Sequence, residues 1–130
     1  MLGIREPEKY GRMTLGQING LITQKADESG TVVDFFQSNC EGELVTAIHN
    51  ARGKYDGIIL NAGAYTHYSY AIADAVPIAE MPVVEVHLTN IHAREEFRQK
   101  SVIAPVCKGQ ITGFGVDGYI MALEYLCRFV

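Results

Sequence analysis

At 130 residues, 48% hydrophobic and 20% charged, the chain is long enough to bury one core and too short for two, so it reads as a single domain over 1–130. Its formal net charge of −4, with acids and bases interspersed, argues against a nucleic-acid surface, which wants a clustered basic patch. No apolar run approaches the roughly 20 residues of a membrane helix, and the N-terminus lacks the basic-then-apolar pattern of an export signal.

In chain order, residues 1–12 read as a charged loop punctuated by Gly3, Pro7 and Gly11. Thr14 is placed to cap a helix to about Ser29, with Leu15, Ile18, Leu21 and Ile22 at helical spacing and Gly30 as its stop. The β-branched and aromatic run 31–37 predicts a strand, and 41–52 a second helix with Leu44, Ile48 and Ala51 inward. Gly57 to Leu60 is wholly apolar, as in a parallel sheet covered on both faces. A small-residue loop, 61–67, leads into a helix over 69–76, and Pro82 opens a third strand. Irregular chain around Pro105 is followed by a weaker fourth strand over 109–114. A last helix begins at Asp117 or Gly118 and carries Tyr119, Ala122, Leu123 and Leu126 on one face.

Helices alternating with short apolar strands predict an α/β fold with a parallel sheet, which binds ligands at the carboxyl ends of its strands. Here those ends carry Ser38-Asn39, Asn61 to His67, His87 to Asn90 and Gly115, a polar, glycine-bearing set. Nothing before Thr14 is apolar enough to be the strand expected ahead of the first helix, so the chain is expected to lack it.

The chemistry concentrates between Pro82 and Arg98. Glu85 and His87 are two apart on a strand and therefore share a face, and a carboxylate beside an imidazole fixes its tautomer and favours its protonated form. That pair suits a general acid, against a solvated strand end as the plainer alternative. Asn90 is placed to cap a helix whose free N–H groups could hold an anion, and Arg94 and Arg98, four apart, to project from one helical face. Two arginines there suit ligand oxygens, with pairing to Glu95 and Glu96 equally open, and His92 reads as hydrogen-bonding its own turn. Asn61 and His67, both able to donate and accept, suit a polyhydroxylated ligand, with turn capping open for Asn61. Asp74 is ordinary by itself. Tyr10 reads as a loop anchor, although a nearby guanidinium would let its phenolate act as a base. The histidines lack metal-ligand spacing, Gly113, Gly115 and Gly118 fail the dinucleotide fingerprint, and Cys40, Cys107 and Cys127 fit half-buried thiols in a reducing cytosol.

These motifs together resemble the type II 3-dehydroquinate dehydratases, small flavodoxin-like enzymes of the shikimate pathway. The resemblance rests on the runs 2–11, 36–44, Asn61-Ala-Gly-Ala-Tyr-Thr-His67, Glu85-Val-His-Leu-Thr-Asn-Ile-His-Ala-Arg-Glu-Glu-Phe-Arg98 and 113–119. It implies a three-layer sandwich around a parallel sheet, with four strands in this chain, the family's first strand and its Asn-Gly-Pro-Asn loop being absent. It implies anti elimination of water from 3-dehydroquinate through an enolate, with no cofactor and no metal. Tyr10 would be the base, held as phenolate by Arg5, and His87, oriented by Glu85, the acid. Asn61, His67 and Arg98 would bind the substrate's hydroxyls, the N–H groups of Leu88 and Thr89 its carboxylate, and Arg94 would support the site. Asp74 would reach a neighbouring subunit of a trimer, four trimers forming a cytoplasmic dodecamer. The competing expectation is an N-terminally truncated, weakly active or inactive homologue acting as an oligomeric anion- or polyol-binding protein.

Overall fold

The computed structural model describes residues 13–129 of the chain. Helix α1, Leu15–Glu28, starts where the sequence asks: the Thr14 hydroxyl accepts the Gln17 N–H at 3.1 Å, and the Gln17 side-chain oxygen accepts the Thr14 N–H at 2.8 Å. This reciprocal pair satisfies two of the donors that a helix start leaves orphaned. Ile18, Ile22 and Ala26, four apart, form its buried stripe, while Leu21 is half exposed. Helix α2 is Glu41–Ala51, followed by strand β1, Ile58–Leu60, a 3-10 turn Gly63–His67, and helix α3, Tyr70–Ile78. Strand β2 is Val83–His87, the short helix α4 is Glu96–Gln99, strand β3 is Gly109–Thr112, and helix α5 is Asp117–Leu126.

The sheet is parallel throughout, in the order β1-β2-β3. Every residue of β2 is buried, as its central position requires. Leu60 and Gln110 flank Glu85 in register, and Thr112 lies beside His87. Successive residues of β2 serve opposite faces. Val83 joins a core of Ile48, Leu60, Ile72, Val76 and Ile103, drawn from α2, β1, α3 and the chain before β3. Val84 and Val86 pack against Ala122 and Leu126 of α5, and Leu123 of the same helix continues into a cluster with Ile18, Ile22 and Ala26 of α1. Gly118 makes that contact close: a Cβ there would stand 3.2 Å from Val86 Cγ1 and 3.4 Å from Ile111 Cγ2.

Four strands were expected and three form among the described residues, because 31–37 carries no regular secondary structure and joins no ladder. Its Thr31 N–H returns to the Ala26 carbonyl at the end of α1 (2.9 Å), its Asp34 accepts from Tyr55 (2.7 Å), and Val32 is 89% exposed. β-branched and aromatic residues suit a pleated surface, but a strand exists only where a neighbour pairs with it. The expected lack of a strand ahead of α1 falls on residues outside those described.

Ile72 is fully buried between α3 and the sheet. Ile72→Ala should therefore cost about 2–5 kcal/mol in urea unfolding, measured at matched protein concentration.

Candidate active site

Parallel strands end on the same edge, so β1, β2 and β3 deliver Asn61, His87 and Gly113 to one rim. The rim is tied together by backbone bonds from Gly113 N–H to the His87 carbonyl (3.3 Å) and from Gly115 N–H to the Leu88 carbonyl (2.9 Å). Gly113 sits at φ +95°, where a Cβ would also stand 3.1 Å from that of Asn90, so the turn leaving β3 requires glycine.

At the centre of this edge is a buried carboxylate. Glu85 is fully buried and His87 nearly so, and His87 Nε2 hydrogen-bonds Glu85 Oε2, as their shared strand face predicts. Two further donors converge: the Ser101 hydroxyl lies 3.0 Å from both carboxylate oxygens, and Gln110 Nε2 donates to Oε2 at 3.1 Å. Burial alone would push the Glu85 carboxyl up. The hydrogen bonds from His87, Gln110 and Ser101 and the His87 charge outweigh it, so the group titrates below its ordinary value. Burial, reinforced by the Glu85 charge, pushes the nearby Cys107 thiol up to about 12, which keeps it protonated.

Asn61 is held at both ends of its amide. Its Oδ1 accepts the Gly63 N–H at 3.1 Å and its Nδ2 donates to the Tyr119 hydroxyl at 2.9 Å. One amide proton remains for a ligand. His67 Nδ1 lies 2.8 Å from the Lys100 carbonyl and must donate to it, which leaves Nε2 as the acceptor of the neutral ring. The Val102 N–H bonds the Thr66 carbonyl at 2.9 Å, so loop 61–67 and the Ser101 segment are one assembly. Leu88 is buried and Thr89 half-buried beside His87.

Two expectations fail. Asn90 caps only a 3-10 turn, Ile91–Ala93, whose N–H groups are already taken by Thr112 Oγ1, Asn90 Oδ1 and the Asn90 carbonyl, so that turn offers no anion cradle. Arg94 and Arg98 do not share a helical face, because the chain is extended at Arg94 and turns helical again only at Glu96. Arg94 Nε is buried with no hydrogen-bond partner among the described residues. Arg98 Nε forms an ion pair with Glu95 at 2.7 Å, too poorly aligned for a hydrogen bond, and its guanidinium lies 4.8 Å from the Phe97 ring centre. His92 uses its backbone, not its ring, in the turn, and Asp74 is exposed on α3. Arg5 and Tyr10 lie outside the described residues. Ser101, Gln110 and Tyr119 were not expected at the site; only Gln110, a long polar side chain within the strand, carried a local signal.

Because Glu85 titrates lower in the folded than in the unfolded chain, its contribution to stability is present above the ordinary carboxyl value of 4.5 and is lost as pH falls through the folded value. The melting-temperature gap between the wild type and Glu85→Gln should therefore narrow as pH is lowered from neutrality to below 4.5. A gap that stays constant or widens would contradict the ionised state of Glu85.

Residues 1–127 match the family model described as dehydroquinase class II. The 3-dehydroquinate dehydratase of Bacillus subtilis is 58% identical over 125 residues, covering 96% of this chain and 84% of that protein. That of Clostridium perfringens (strain SM101 / Type A) is 56% identical over 131 residues, covering 100% and 90%. Among solved structures, the type II dehydroquinase from Butyrivibrio crossotus superposes with a TM-score of 0.94 at 45% identity, covering 96% of this chain and 88% of that one. The type II dehydroquinase from Propionibacterium acnes gives 0.94 at 38% identity, covering 98% and 88%. With the buried acid–imidazole pair at the sheet edge, these matches mean that the chain belongs to the class II dehydroquinase family.

Proposed function

We propose that the protein catalyses the dehydration of 3-dehydroquinate to 3-dehydroshikimate, a carbon–oxygen lyase step of the shikimate pathway. The observation that carries the reading is the buried Glu85–His87 pair at the carboxyl end of β2, in a chain 56–59% identical to curated 3-dehydroquinate dehydratases. The elimination is anti and passes through an enolate. Tyr10, held as phenolate by Arg5, removes a proton alpha to the ketone, and the electron pair enters the enolate. As the enolate collapses, the carbon–oxygen bond breaks, and His87 gives its proton to the departing hydroxyl, which leaves as water. Glu85 holds the ring; its hydrogen bond to Nε2 leaves Nδ1 as the nitrogen turned to substrate.

Substrate hydroxyls are bound by Asn61, His67 and Arg98. The locked amide of Asn61 and the fixed Nδ1–H of His67 support this, since each side chain keeps one defined group for a ligand. Arg98 must exchange its Glu95 partner, which is itself half exposed, for substrate. The N–H groups of Leu88 and Thr89 bind the substrate carboxylate, and Arg94, whose Nε has no hydrogen-bond partner among the described residues, supports the site. The fold is the flavodoxin-like three-layer sandwich, in which the family order 2-1-3-4-5 leaves a slot for the family's first strand between 31–37 and β1. In support, the outer edge of β1 carries no strand among the described residues, and Val33 packs on the same α1–α5 cluster as Ile59. The assembly is a cytoplasmic dodecamer of four trimers in which Asp74 serves a neighbouring subunit's site. The exposure of Asp74 on α3, beside exposed Tyr70 and Ile78, supports that role.

Mixing the protein with 3-dehydroquinate should raise the ultraviolet absorbance as the conjugated enone product forms. His87→Asn and Tyr10→Phe should each lower kcat by about 10²–10⁴-fold while calorimetric binding persists. Binding heat from the wild type without any rise in absorbance would replace turnover by mere ligand binding.

A further inference from the structure

We propose that Ser101 is a positioning residue for His87, acting through the Glu85 carboxylate, with Gln110 as the second donor. This rests on the assignment of His87 as the acid.

The Ser101 hydroxyl has one proton and two lone pairs. It accepts the N–H of Ile103 at 3.2 Å and of Ala104 at 2.9 Å, at the start of the 3-10 turn Ala104–Val106. With both lone pairs engaged, its proton must point away from the turn, and there it meets both Glu85 oxygens at 3.0 Å. The turn therefore sets the direction of the hydroxyl, and the hydroxyl sets the plane of the carboxylate. Gln110 is fixed independently, by its register opposite Glu85 in the β2–β3 ladder, and donates to the same Oε2 that His87 contacts. A carboxylate supplied with these donors stays an acceptor, so the imidazole must meet it as an Nε2–H donor. Without Ser101, Glu85 is free to rotate or to take up a proton of its own, and the ring loses the acceptor that fixes its tautomer. The titratable groups facing Glu85 among the described residues are His87 from β2 and the Cys107 thiol from the chain entering β3. The thiol stays neutral across the working range, so Ser101 and Gln110 are the neutral donors that hold the charge in place.

The test compares Ser101→Ala, Ser101→Thr and Gln110→Met with the wild type. It follows kcat and KM against pH with 3-dehydroquinate, together with the ¹⁵N signals of the His87 ring. Ser101→Ala should lower kcat by about ten- to a hundredfold with KM nearly unchanged. The acid limb of the profile should move to higher pH, because a carboxylate stripped of a donor protonates sooner, and the Nε2–H signature of His87 should weaken. Ser101→Thr, which keeps the hydroxyl, should restore all three readouts. Gln110→Met, which leaves the turn intact, should shift the limb and the ring signals in the same direction by less. A folded Ser101→Ala whose acid limb and His87 signals match the wild type overturns the proposal. If Ser101→Ala does not fold, unchanged values in Gln110→Met overturn it. A wild type without turnover would overturn the catalytic reading, and the His87 signals would then decide the role of Ser101 alone.

Discussion

A carboxylate buried in the middle strand of a parallel sheet is the constraint on which this molecule turns. Removing such a charge from water costs several kcal/mol unless partners replace the lost solvent. Glu85 has no exposed surface, yet it titrates below its ordinary value, so its partners more than offset its burial. They come from three places at once. His87 lies two residues along its own strand, Gln110 sits in register on β3, and Ser101 approaches from the turn that precedes β3. Shifting the β2–β3 ladder by one residue would send Gln110 to the other face and leave the charge short of a donor.

The same ladder decides where the ligand-facing groups collect. Parallel strands can only present their carboxyl ends together, and the loops leaving them are stitched by short backbone and side-chain bonds. Asn61 is clamped between Gly63 and Tyr119, His67 is turned by the Lys100 carbonyl, and Gly113 allows the β3 turn to pass close to Asn90. A rim whose polar groups are held before a ligand arrives costs less to order when one binds. Behind the rim, Gly118 lets α5 lie close against Val86 and Ile111, which seats the opposite face of β2 and so braces the strand that carries Glu85 and His87.

Much of the fold was legible from local rules. The Thr14 cap, the helical spacing of Leu15, Ile18, Leu21 and Ile22, and the apolar runs at β1 and β2 are short-range signals, and each element formed within a residue or two of its expected place. Failures came where a partner decides the outcome. The run 31–37 has strand-forming residues but no ladder among the described residues, and the chain between Arg94 and Arg98 breaks its helix despite helical spacing. Asn90 did cap a turn, but neighbouring acceptors consumed the N–H groups a ligand would have needed.

By itself, the sequence determined the family, the alternation of helix and strand, and the pairing of Glu85 with His87. All of these depend on residue identity and on spacings of two to four positions. Only the tertiary structure decided that Ser101 and Gln110 complete the carboxylate's shell and that Tyr119 holds Asn61. Those contacts join residues 16, 25 and 58 positions apart. No local periodicity links such positions. They meet because the parallel ladder and the packing of α5 set which distant side chains share one edge of the sheet.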